Sequence, residues 1–77
     1  MERKFKFSIW KRMKEGENRT LIEEKFFPTF VSGKSYFKDT ISDYGLQMSD
    51  AEQDNQPPLL RAYADGKNIL IQLRQED

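Results

Sequence analysis

The 77-residue chain contains neither cysteine nor histidine. The first absence excludes disulfides and thiolate nucleophiles, and it gives no sign of an oxidising compartment. The second removes the group that most often carries protons near neutral pH, and together the two leave zinc without its preferred ligands. Carboxylates remain, but Glu23 and Glu24 are adjacent and would point apart on a strand. Asp39 and Asp43, four apart on a helix, would lie on a solvated face. A chain this short also has little depth for a water-excluding pocket. The expectation is a protein with no catalytic role, no cofactor and no metal.

Long apolar runs are missing as well. Met1-Glu2-Arg3-Lys4 leads straight into alternating polar and apolar residues without a signal-peptide stretch, and nothing later reaches the length of a membrane span. A cytoplasmic protein without membrane contact is expected, and Asn18-Arg19-Thr20 then matches a glycosylation pattern by chance. No repeat, low-complexity tract or linker divides the sequence, so 1–77 reads as one domain. Two short motifs fail on closer reading. Ser32-Gly33-Lys34-Ser35 ends like a phosphate-binding loop, but the upstream glycine is absent. Asp50, Glu52 and Asp54 lack the glycine and distal glutamate of a calcium loop.

What is present is aromatic and charged. Apolar residues make up 36% of the chain and charged residues 34%, and six Phe, three Tyr and one Trp concentrate the apolar bulk in few positions. Large rings can fill a small core. The formal charge is zero, yet residues 1–38 hold ten Lys/Arg against five Asp/Glu and residues 39–77 hold three against eight. The neutral total hides a basic first half and an acidic second half.

Periodicity gives an α+β domain with an antiparallel sheet made of two hairpins and one helix packed on one face. In the first hairpin, about 4–13 and 20–30, Phe5, Phe7 and Ile9 share one face and Lys4, Lys6, Ser8, Trp10 and Arg12 share the other. Leu21-Ile22 and Phe26-Phe27 break the alternation of its second strand, and a bulge near Phe26 would reconcile them. A helical alternative places Phe5, Ile9 and Met13 four apart; aromatic enrichment and Pro28 favour strands. The helix is expected over about 34–44, capped by Ser32 or Ser35 and closed by Gly45, with Leu46 packing back on Ile41. Residues 47–57 read as an acidic, mobile loop. The second hairpin, 58–64 with 67–74, turns at Asp65-Gly66, and pairing Ala62 with Ile69 and Leu60 with Ile71 puts every apolar partner on one side. Its reverse side collects Leu59, Arg61, Tyr63, Asn68, Leu70 and Gln72, a mixed surface, part of which something else would cover.

With catalysis set aside, three binding classes follow. The leading expectation is a small module that regulates or inhibits a macromolecular partner through protein contacts. The candidate surfaces are a basic-aromatic set (Lys4, Lys6, Trp10, Arg12 and Tyr63) and an acidic set (Asp39, Asp43, Asp50, Glu52 and Asp54) suited to a basic site. The alternative is nucleic-acid binding, with Lys4, Lys6 and Arg12 on phosphates and Trp10 stacked on a base. Zero net charge, the acidic second half and the lack of a nucleic-acid-binding motif weigh against it. Burial of Leu59, Tyr63 and Leu70 against a second copy is a third route, to a homodimer. Size and charge pattern are compatible with a phage or other mobile-element protein.

Overall fold

A computed structural model describes residues 4–12, 18–56 and 58–76. Along the chain run β1 (Phe5–Arg12), β2 (Arg19–Phe27), α1 (Phe30–Asp43), a 3-10 turn (Met48–Asp50), β3 (Glu52–Asn55), β4 (Pro58–Ala64) and β5 (Ile69–Gln75). The strands form one antiparallel sheet in the order β2-β1-β5-β4-β3. Sequence alternation decides which side faces the helix. Phe5, Phe7 and Ile9 of β1, Leu60, Ala62 and Ala64 of β4, and Ile69, Ile71 and Leu73 of β5 join Phe37 and Ile41 of α1 in a single core. The fold is the expected α+β arrangement. Among the described residues no helix is long and apolar enough to cross a membrane.

The helix begins four residues earlier than its apolar spacing indicates. Thr29 is the cap: its backbone is extended and its hydroxyl accepts from the Ser32 N–H at 3.2 Å, while the Ser32 hydroxyl donates to the Thr29 carbonyl at 3.0 Å. Pro28 immediately before the cap cannot donate to a strand ladder, so the extended chain stops and the helix starts within two residues. The other end follows expectation. Gly45 adopts φ +82°, Leu46 N–H bonds the Ile41 carbonyl at 2.9 Å and Gly45 N–H bonds that of Ser42 at 2.9 Å, the paired bonds of a Schellman ending.

Both hairpins differ in detail from the sequence reading. In the second, Ala64 pairs with Ile69, Ala62 with Ile71 and Leu60 with Leu73, two residues out of the expected register. The turn takes four residues, with positive φ at Asp65, Gly66 and Lys67 and the Asn68 N–H bonded to the Asp65 carbonyl at 3.0 Å. A shift of two leaves every side chain on its original face, which is why the apolar pairing test is passed in either register. In the first, the irregularity lies opposite Ile9 and Trp10, making Ile22 the extra residue instead of one near Phe26.

Residues 47–57, expected as a loop, contain the 3-10 turn and the edge strand β3. Asp50 secures the turn by accepting from the Gln47 N–H at 2.8 Å. β3 has no buried residue and is held by its ladder to β4, so hydrophobic periodicity could not reveal it.

Candidate functional site: the helix-free face of the sheet

Directly paired residues in an antiparallel sheet point to the same side. On the side away from α1, register therefore builds rows that cross the sheet. Leu21 of β2, Trp10 of β1, Leu70 of β5 and Tyr63 of β4 form an apolar row. Glu24, Ser8, Gln72, Arg61 and Glu52 form the next, and Phe26, Lys6, Arg74, Leu59 and Asp54 the one after. At the opposite end Arg12 pairs with Arg19.

The apolar row is only half covered. Trp10, Leu70 and Tyr63 are partly buried and Leu21 is 40% exposed. Trp10 lies along its own strand: the indole Nε1–H donates to the Ser8 hydroxyl at 3.1 Å, which satisfies both groups and leaves Ser8 buried. Beside the ring a shallow cleft of about 420 Å³ is lined by Trp10, Asn18, Arg19, Leu70 and Gln72. A smaller one of about 250 Å³ lies between Pro58, Leu59, Arg61, Gln72, Arg74 and Gln75. Lys67 brings its ammonium to 5.9 Å from the Tyr63 ring centre.

Charge divides this face in two. In the half containing Lys6, cations are matched: Lys6 lies 3.6 Å from Glu24 and 3.8 Å from Glu76, Arg61 is 3.3 Å from Glu52, and Arg74 is 3.8 Å from Glu76. At the other end Arg12 and Arg19 face each other across the β1–β2 pair, and neither forms a salt bridge with a described carboxylate. Arg19 Nη1 is buried with no hydrogen-bond partner among the described residues.

The residues expected to bind are distributed accordingly. Lys6, Trp10, Arg12 and Tyr63 all lie on the helix-free face, Lys6 with its charge neutralised. Lys4 precedes β1 and is exposed, and its carbonyl accepts from the Glu76 N–H at 2.7 Å. The acidic set is scattered. Asp39 and Asp43 are exposed on α1, across the sheet from this face, and Asp50 is used in capping. Glu52 is paired with Arg61, and Asp54 sits on the edge strand opposite Leu59. Among the described residues no three carboxylates gather where they could hold a metal ion. No family model, curated protein or solved structure matches this chain. The face is therefore read from its own chemistry.

Leu21, Arg19, Leu70 and Gln72 complete the surface around Trp10; Leu70 and Gln72 were legible as part of the reverse side of the second hairpin, but not as neighbours of Trp10. One signal existed. The reverse side of the second hairpin carries Leu59, Tyr63 and Leu70 where a solvated face needs none. What covers it in part is the neighbouring β1 row, through a pairing between strands about sixty residues apart.

Proposed function

We propose that this protein is a small, non-enzymatic binding module that regulates or inhibits a macromolecular partner, and that it engages a protein through the helix-free face of its sheet. The observation supporting the reading is the row Leu21, Trp10, Leu70 and Tyr63, apolar across four strands and half open to solvent. An antiparallel sheet can carry a polar wet face, and a half-open apolar row with a polar rim is the pattern of an interaction site. Tryptophan, tyrosine and arginine are the residue types that dominate protein interfaces, and all three converge here. The lack of cysteine suits a reducing, cytoplasmic setting.

Capture from the native host, with and without nuclease, tests the proposal. A protein partner should survive nuclease and be lost with Trp10→Ala and with Leu21→Lys, the second variant changing an exposed position that leaves the core intact. Retention of the partner by both folded variants would refute the assignment of this face. Nucleic acid is favoured over protein only by the indole beside Arg12 and Arg19, and material that disappears entirely on nuclease treatment would establish it.

A further inference from the structure

Two guanidinium groups placed directly opposite each other on neighbouring strands repel. The sequence has glutamates to spare and pairs Lys6, Arg61 and Arg74 on the same face, yet Arg12 and Arg19 have no described carboxylate between them. A further donor, Arg19 Nη1, is withdrawn from water without an acceptor among the described residues. Like charges directly opposite each other across a ladder are unfavourable, and an anion between them offsets that repulsion. The cleft that Arg19 lines is not purely ionic, because Trp10 and Leu70 supply an apolar wall and Asn18 and Gln72 a polar one.

We infer that the Arg12–Arg19 end of the face receives an acidic segment of the protein partner, its carboxylate between the two guanidinium groups and a neighbouring apolar side chain against Trp10 and Leu70. This rests on the reading of the face as a protein-binding surface. Charge complementarity selects the occupant. A nucleic acid continuing across the sheet would meet Glu24, Glu52 and Asp54, whereas a short acidic peptide segment can remain at the cationic end.

The chain has a single tryptophan, so fluorescence reports on this cleft. A glutamate–tyrosine copolymer should quench Trp10, and a lysine–tyrosine copolymer should not. Arg12→Gln/Arg19→Gln should weaken copolymer binding about tenfold, as expected for the loss of two charge contacts of under about 1 kcal/mol each. It should also lower capture of the host partner, while leaving the urea midpoint unchanged or raised because a repulsive pair is removed. Quenching that is absent, or that the double substitution leaves unchanged, overturns the inference. So does displacement of the copolymer by oligothymidylate, or a concentration-dependent dimer in sedimentation that the double substitution dissolves; these would assign the site to nucleic acid and to a second copy. Partner capture separates the two levels of argument. Loss with Trp10→Ala but not with the arginine pair would keep the protein-binding face and discard the acidic segment, whereas retention in both would discard the face as well.

Discussion

Gly33 sits where α1 crosses β5, and a Cβ built there would lie 2.8 and 3.1 Å from the two terminal carbons of Leu73. Leu73 is fully buried, so it has little room to retreat. Alanine would improve helix propensity by about 1 kcal/mol, but overpacking costs about 1–3 kcal/mol. Gly33→Ala should therefore lower stability by about 1 kcal/mol, seen as a lower urea midpoint; a higher midpoint would show that Leu73 can move. The glycine that resembles part of a phosphate loop is thus explained by packing. Tyr36 offers a second test. Its hydroxyl donates to Glu23, its ring meets Phe7 edge-on with centroids 4.8 Å apart, and Lys25 lies 4.7 Å from its centre. The hydrogen bond to Glu23 raises the phenol above its ordinary pKa of 10.0, and desolvation and the carboxylate charge act in the same direction. Folding thus favours the protonated phenol: its contribution is intact below pH 10 and is lost as pH rises through the folded value. In urea titrations the wild type should lose more stability above pH 10 than Tyr36→Phe does, and parallel curves would rule the linkage out.

At the level of elements, the signals that were legible were those carried by neighbouring residues. The Gly45-Leu46 ending followed from one glycine and one apolar residue, and the second hairpin from alternation around Asp65-Gly66. The start of α1 was obscured because Phe30 and Val31 read equally well as the tail of a strand, and Val31 is 77% exposed in the helix. Only the Thr29 cap and Pro28 mark the boundary. Removing that cap should weaken the fold, and Thr29→Ala should cost about 1 kcal/mol in chemical denaturation. Hairpin register was not legible, because a period of two is blind to a shift of two and the four-residue turn depends on positive φ at Lys67, which residue type does not announce. β3 was hidden for the opposite reason: its residues are all exposed, and main-chain bonds to β4 define it.

For the molecule as a whole, the decisive contact joins the ends of the chain. β1 and β5 pair from Phe5 with Gln75 to Lys11 with Ile69, and this places the basic-aromatic row of the first strand beside the mixed back of the last hairpin. Nothing local encodes that adjacency, so half of the candidate site was visible as two unrelated surfaces. Without this pairing the sheet would fall into a β2–β1 hairpin and a β3–β4–β5 meander, held only by α1. Cooperativity should depend on it. Phe7 lies at the centre of β1, fully buried and between Lys25 and Leu73 in the ladders. Replacing a buried phenylalanine by alanine costs about 3–5 kcal/mol, against a total stability of about 4–12 kcal/mol for a domain of this length. Phe7→Ala should accordingly lower the melting temperature by more than about 12 °C. In the wild type, Trp10 fluorescence from the helix-free face and circular dichroism from the whole backbone should follow one transition, because β1 belongs to both ladders. Two separated transitions would mean that the hairpin and the meander unfold independently, and the composite face would then not be a rigid surface.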